Sequence, residues 1–312
     1  MRSSAYSDDI LPDLAAWSAG GERCALVTLV GVEGNAPRGE GAQMAVTESG
    51  QWAGYISGGC LEAAIALEAV AAIAEGKPRL LRYGKGSPYF DIRLPCGSGL
   101  DVFIQPGLDA ALVKDMRRRM ERRQPFALRI GLASGAGSLE SATEGKRSRR
   151  EEGDFVRVYT PPPRCLAIGS SPVAVKLAGL AASAGFDTAF HAPGAETLPD
   201  LPMGVSIHPL APRPDFRADA WTAAVVAFHD HEKELPVLTE LLRGPCFFIT
   251  AIGSRNAHAA RKLALAAEGF SEADIARIEN PAGLVPGLKS ASLVAVSILA
   301  QIVATARARH IV

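Results

Sequence analysis

Arg164-Cys165-Leu166-Ala167-Ile168-Gly169-Ser170-Ser171-Pro172, continued by the apolar-periodic run Val173 to Ala184 and closed by Gly185, reads as strand, turn and helix. Asp187 to His191 resumes a strand, which gives the βαβ pattern of a doubly wound sheet. Further strands are predicted at Val205 to His208, Ala223 to Phe228 and Cys246 to Ala251. Helices are predicted near Glu232 to Leu242, Asn256 to Glu268, Glu272 to Ile278 and Ser290 to Arg309. The fold class is therefore α/β, with a Rossmann-like doubly wound domain at the C-terminal end. Set against the dinucleotide fingerprint Gly-x-Gly-x-x-Gly/Ala, Gly169 supplies the first glycine and Ala174 the last small residue, but Ser171 takes the central place. A Cβ there obstructs a pyrophosphate. His191 stands where an acidic residue would grip the ribose hydroxyls. The fold is retained and NAD(P) is not expected, because fold does not entail function.

Upstream, Pro161-Pro162-Pro163 forms a spacer, and the preceding Ala133 to Asp154 is rich in Gly, Ser and charge without apolar periodicity. The expected division is residues 1–135 as an N-terminal domain, 136–163 as a linker or mobile insert, and 164–312 as the Rossmann-like domain. The N-terminal half reads as mixed strand and helix. Asp9 to Gly20 is an amphipathic helix and Cys24 to Val32 a buried strand. Gln43 to Thr47 and Gln51 to Ile56 form a hairpin, and Ala63 to Glu75 is a helix stopped by Gly76 and Pro78. Strands at Arg79 to Tyr83, Leu100 to Gln105 and Phe126 to Leu132, with a helix near Asp109 to Arg123, complete it, and Phe155 to Tyr159 is strand-like just before the proline spacer. Glu33 to Gly41, with three glycines and a proline, must be a loop.

The chain has 312 residues with 33 basic and 33 acidic side chains, so no net charge draws it to nucleic acid or an anionic membrane. Five cysteines, an odd number without close spacing, fit a reducing compartment rather than a disulfide framework or a zinc site. Met1 to Asp13 lacks the apolar core of a secretory signal, and the apolar stretch Ala291 to Ala306 is short for a bilayer span. It is expected to be a helix buried against a sheet.

The chemistry-bearing residues gather in loops. In Tyr55-Ile56-Ser57-Gly58-Gly59-Cys60-Leu61-Glu62, a cysteine sits where a Gly-rich turn enters a helix. Backbone N–H groups and the helix dipole there favour an anion, either a thiolate or a bound phosphate. Cys96, in Cys96-Gly97-Ser98-Gly99, is a second Gly-flanked thiol, whereas Cys24, Cys165 and Cys246 lie in strand-like apolar runs and read as core. Gly253-Ser254-Arg255, at a strand-to-helix turn, suits a phosphate as well as an ordinary cap. Phe228-His229-Asp230-His231-Glu232 carries metal-ligand residue types, yet Asp230 and Glu232 are equally suited to capping a helix and no third ligand follows from spacing.

These stretches carry a family resemblance. Gly34-Asn35-Ala36-Pro37-Arg38, Ser57-Gly58-Gly59-Cys60-Leu61-Glu62 and Cys96-Gly97-Ser98-Gly99 resemble the N-terminal half of the xanthine dehydrogenase accessory proteins of the XdhC/CoxI type. Phe228-His229-Asp230-His231, Ile252-Gly253-Ser254-Arg255, Pro281-Ala282-Gly283-Leu284 and Ala295 to Ala300 are similar to their Rossmann-like C-terminal half. The resemblance implies an accessory protein rather than an enzyme: a cytoplasmic, dimeric chaperone that binds molybdopterin-type molybdenum cofactor and holds it for sulfuration. It would receive sulfur from a cysteine desulfurase-type donor and deliver the cofactor to a xanthine dehydrogenase-type molybdenum hydroxylase. On this reading Arg38, Ser57, Gly58 and Gly59 hold anionic parts of the cofactor. Cys60 is the soft metal contact, Cys96 a second candidate, and Gly253, Ser254 and Arg255 take the phosphate end. The family usually places a Gly-rich turn ending in Gly-His at Ser170-Ser171-Pro172, so a nucleotide contact by that turn is not expected here. The competing readings are an NAD(P)-dependent oxidoreductase, a hydrolase using Cys60 with His229 or His231, and a scaffold that joins partner proteins without touching cofactor.

Overall fold

The computed structural model describes residues 8–87, 97–143, 145–194, 201–228 and 233–311, and the chain divides into two compact units, Met1–Pro161 and Pro162–Val312. In the first unit, α1 (Leu11–Ala19) precedes β1 (Cys24–Glu33) and the hairpin of β2 (Gln43–Thr47) and β3 (Trp52–Gly54). Then come α2 (Glu62–Glu75), β4 (Arg79–Gly84) and β5 (Gly99–Pro106). The strands form an antiparallel sheet in the order β3-β2-β1-β5-β4. β1 is apolar at successive positions because both of its faces are covered. Ala25, Val27 and Leu29 pack with Ile65, Ala69 and Ile73 of α2, while Leu26 and Val30 pack with Leu14 of α1 and with Phe103. Each fully buried aliphatic side chain of this kind contributes roughly 1.5–3 kcal/mol.

The unit continues through α3 (Ala110–Glu121), β6 (Phe126–Gly131), β7 (Gly137–Ser141), β8 (Arg149–Glu151) and β9 (Asp154–Tyr159). These four strands make a second antiparallel sheet ordered β7-β6-β9-β8, which corrects the expectation that 136–163 is a linker or mobile insert. The polar composition is real, but it belongs to edge strands. β7 and β8 each pair on one side only, and Arg129 of β6 bridges Glu140, Glu151 and Asp154 across the sheet. Backbone pairing and cross-strand charge stand in for apolar content there. On β9 the side chains alternate. Phe155 and Tyr159 enter the core shared with α1 and α3, while Val156 and Val158 join a small cluster on the other face.

The second unit contains β10 (Arg164–Ile168), α4 (Pro172–Ser183), β11 (Asp187–Ala192), β12 (Val205–Pro209), β13 (Thr222–Val226) and α5 (Glu234–Arg243). It ends with β14 (Phe248–Ala251), α6 (Arg255–Ala267), α7 (Glu272–Ile275), β15 (Ile278–Glu279) and α8 (Ala291–Ala308). Six parallel strands run in the order β12-β11-β10-β13-β14-β15. Counted from β10, that is the 3-2-1-4-5-6 order of dinucleotide-binding folds. Helices α4 and α8 cover one face around Phe190 and Phe248, and α5 and α6 cover the other around Val226 and Ile249. Among the described residues α8 is the one helix long and apolar enough to cross a membrane. Its inner side (Ala295, Ile298, Ile302, Ala306) packs into the core, but Leu293, Val296 and Val303 are 55%, 51% and 41% exposed. The expectation of a buried helix therefore holds for one face only.

Candidate functional site

In the first unit the turn from β3 into α2 is organised by a carboxylate. Glu62, only 4% exposed, accepts backbone N–H bonds from Ile56 (2.9 Å), Ser57 (2.7 Å) and Gly58 (3.2 Å) on Oε1, and from Gly59 (2.8 Å) and Leu61 (3.2 Å) on Oε2. The Ser57 hydroxyl also donates to Glu62 and accepts from the N–H groups of Cys60 (3.1 Å) and Leu61 (2.9 Å). Gly58 and Gly59 both take positive φ, 84° and 117°, which lets successive N–H groups converge on one carboxylate. Burial pushes the Glu62 pKa up, but the bonds from Ser57 and Ile56 outweigh it and hold the carboxyl below its ordinary value.

This arrangement corrects the expectation that the N–H groups of Gly58 and Gly59 hold an anionic ligand. Those donors, and that of Ser57, are already engaged by Glu62 at the N-terminus of α2. What the loop offers outward is Cys60, an exposed free thiol. Cys24, Cys165 and Cys246 are buried, as core residues should be, and burial raises their thiol pKa to about 11, 12 and 11. Cys96 lies outside the described residues, as do His229, Asp230, His231 and Glu232. No group of three or more potential metal-ligating side chains occurs among the described residues.

Arg38 belongs to the loop between β1 and β2, and its guanidinium carbon lies 4.2 Å from the centroid of the Tyr55 ring. Tyr55 opens the segment that ends at Cys60, so the structure brings the Arg38 loop onto the Cys60 loop. Arg38 also forms an ion pair with Asp8. A guanidinium stacked on an aromatic face keeps its N–H donors in the plane of the group, where an anion can meet them.

In the second unit the turn after β10 is self-contained. Gly169 has φ 123°, and a Cβ there would meet the Ala227 carbonyl oxygen at 2.3 Å, so only glycine fits. Ser171 caps α4 by accepting from the Ala174 N–H (3.3 Å), its own N–H donates to Ala227 O (3.3 Å), and Pro172 has no N–H to offer. The donors that grip pyrophosphate in a dinucleotide site are thus largely engaged or missing. At the end of β11, His191 stacks on His208 with ring centroids 4.9 Å apart and meets the edge of Phe216. Burial and then His208 push its pKa down to about 4.

A cavity of about 360 Å³ opens at the ends of these strands, lined among others by Ser171, Pro172, Ala227, Phe228, Gly253 and Lys289. Of the predicted phosphate residues, Gly253 lines it, Ser254 caps α6 by accepting from the Ala257 N–H (3.2 Å), and Arg255 is an exposed first residue of that helix. Gly253 also makes room for Arg261, whose Nη2 would lie 2.8 Å from a Cβ at that position. Arg261 pairs with buried Glu234 (2.7 Å) and donates to the carbonyls of Ala251 and Ile252. Sequence reasoning missed the Arg261–Glu234 pair because its members are 27 residues apart and each looks like a solvated helix charge. It also missed the loop-organising role of Glu62, although a serine preceding a helix whose first residue is acidic was a usable signal.

Together these features define a two-unit protein: an α/β unit that presents an exposed thiol on a loop whose first residue, Tyr55, carries a stacked arginine, and a Rossmann unit with a self-capped turn. Residues 17–84 match the XdhC and CoxI family, and residues 166–302 match the XdhC Rossmann domain. Over 283 residues the chain is 35% identical to the molybdenum cofactor insertion chaperone PaoD of Escherichia coli K12, covering 90% of this chain and 83% of that protein. It is 24% identical over 319 residues to a probable xanthine dehydrogenase subunit of Bacillus subtilis 168, covering 91% of this chain and 93% of that protein. A crystal structure described as a xanthine dehydrogenase from Bacillus halodurans superposes with a TM-score of 0.75 at 20% identity over 96% of both chains. The chain belongs to the XdhC and CoxI family.

Proposed function

We propose that this protein is a molybdenum-cofactor chaperone, which holds the cofactor for sulfuration and passes it to a xanthine dehydrogenase-type molybdenum hydroxylase. The observation that carries the reading is the exposed Cys60 thiol on a rigid loop that the stacked Arg38 adjoins. Similarity to PaoD over most of the chain supports it. The donor set suits the cargo. A thiolate is a soft ligand for a sulfur-coordinated metal, and a guanidinium suits a phosphate or another anionic group. Cys60 would contact the metal and Arg38 the anionic part, with Cys96 as a second thiol; Gly253, Ser254 and Arg255 of the second unit are a separate candidate anion contact. The redox chemistry of the cofactor is exercised in the client enzyme, so here it is carried rather than used.

The same reading places the protein in the cytoplasm, where a cysteine desulfurase-type donor would supply sulfur, and makes it a homodimer. The apolar stripe Leu293, Val296 and Val303 of α8 supports the dimer as a surface for a second copy. The test is to mix purified protein with free cofactor, remove the excess by gel filtration, and measure retained molybdenum and pterin. Wild type should retain both, and Cys60→Ala and Arg38→Gln should retain at most a tenth as much. Equal retention by the variants would sink the proposal. The strand order and the cavity of the second unit favour NAD(P) binding as the alternative. Saturable quenching of NAD(P)H fluorescence would establish that reading, and a flat titration would dismiss it.

A further inference from the structure

Arg157 is the one charged residue in the run Phe155-Val156-Arg157-Val158-Tyr159, and the strand period puts it on the same side of β9 as Phe155 and Tyr159, which face the core. Its guanidinium carbon lies 4.6 Å from the centroid of the Tyr159 ring. Its Nη1 donates to the carbonyl of Val158 and lies 3.5 Å from Ser148 Oγ, while its Nε is buried without a hydrogen-bond partner. Among the described residues no carboxylate forms an ion pair with it. Burial depresses the Arg157 pKa, Tyr159 opposes this, and the charge of Arg38 depresses it further. An unpaired cation kept at such a position is costly to folding and marks a place reserved for an anion.

The two arginines also share an address. Asp8 ion-pairs with Arg38, and the next residue, Asp9, interacts electrostatically with Arg157. Neighbouring residues are about 3.8 Å apart along the chain, so both guanidiniums lie within the span of a dipeptide and its side chains. Asp9 is committed elsewhere too, since its Oδ1 accepts from the Leu11 N–H at 3.1 Å at the start of α1. The Asp8 side chain is 74% exposed, so its hold on Arg38 is weak and easily exchanged.

We propose that Arg38 and Arg157, each stacked on a tyrosine, form a two-guanidinium subsite for the phosphate monoester of the carried ligand, with Asp8 as an internal anion that the ligand displaces. The inference rests on the function proposed above for the identity of the ligand alone; the anion site stands on the geometry. Arg38 lies close enough to Arg157 for their charges to interact, and two neighbouring guanidiniums are a strong recognition element for a tetrahedral dianion. Stacking on the tyrosine faces positions them without using their N–H donors.

The test is ³¹P NMR of inorganic phosphate titrated with the full-length protein. Saturable broadening is expected for wild type, weakened about tenfold or more in Arg157→Gln and in Arg38→Gln. It should be unchanged in Arg117→Gln, an exposed arginine on α3. Asp8→Asn should tighten binding about two- to fivefold, a gain that misfolding cannot produce. Phosphate binding that is absent in wild type, unaltered in both arginine variants, or unimproved by Asp8→Asn would overturn the proposal. Adding molybdenum cofactor should displace the bound phosphate from wild type. Cofactor that binds without displacing phosphate would overturn the cofactor assignment of this subsite while leaving the chaperone reading intact. Phosphate binding through both arginines in a protein that binds no cofactor would do the reverse.

Discussion

Replacing Glu62 by glutamine tests whether one carboxylate builds the Cys60 loop. In the native turn five backbone N–H groups and the Ser57 hydroxyl point at its two oxygens. Glutamine preserves one oxygen and turns the other into an NH₂ donor. If the amide oxygen keeps the partners of Oε1, the new NH₂ faces the N–H groups of Gly59 and Leu61 and satisfies neither. A hydrogen bond to a charged group contributes about 1.5–3 kcal/mol, and a buried donor left unmet costs about 1–3 kcal/mol. Gly59 is exposed and can turn to water, so a net loss of roughly 2–5 kcal/mol is expected. Urea unfolding measures it, and the reaction rate of Cys60 with a chromogenic disulfide reports the local opening. The pH dependence carries a sign. The folded carboxyl lies below its ordinary 4.5, so its stabilisation is complete above that value and is lost as pH falls through the folded pKa. The difference between wild type and variant should therefore shrink in acid. A variant within about 0.5 kcal/mol of wild type at pH 7, with unchanged thiol reactivity, would refute the assignment.

In a Cys96→Ser background, native protein should titrate one fast thiol, Cys60, and three more only after denaturation, because Cys24, Cys165 and Cys246 are buried with raised pKa values. Gly169→Ala should destabilise the second unit by about 2 kcal/mol or more in a thermal melt, from the positive φ and the collision with the Ala227 carbonyl. The His191 imidazole should titrate near pH 4 by NMR. Since the unfolded value is 6.5, the native state binds fewer protons between the two, and stability should rise with pH across that window. Val296→Glu should shift the protein toward monomer in light scattering, and an unchanged mass would remove the α8 stripe from the proposed dimer interface.

The second unit was legible because its signals are local. The run from Arg164 to Gly185 announces strand, turn and helix, and the departures at Ser171 and His191 could be weighed without coordinates. The positions of the helices and of most strands followed from periodicity in the same way. The sheet containing β7 and β8 was hidden because edge strands carry little apolar pattern and are fixed by pairing to β6 and β9, as distant in sequence as Ser141 from Phe126. At the candidate site, the motif singled out Cys60 and Arg38, and the structure leaves the first exposed and stacks the second on Tyr55. The fate of the loop donors does not follow from the motif, since the hydrogen bonds from Ile56, Ser57, Gly58, Gly59 and Leu61 to Glu62 depend on how the chain folds back on itself. Arg157 was passed over for a related reason. Its significance depends on which residues lack a bond to it, and a sequence does not record that.

The Glu62 cage has a kinetic consequence. A loop fixed by an internal carboxylate has lost its conformational entropy during folding, so a ligand arriving at Cys60 has little ordering of that loop to impose. Capture then needs no slow closure of this segment, and departure needs no slow opening. For the chaperone function proposed above, a rigid handhold would allow exchange at the speed of encounter with the next partner.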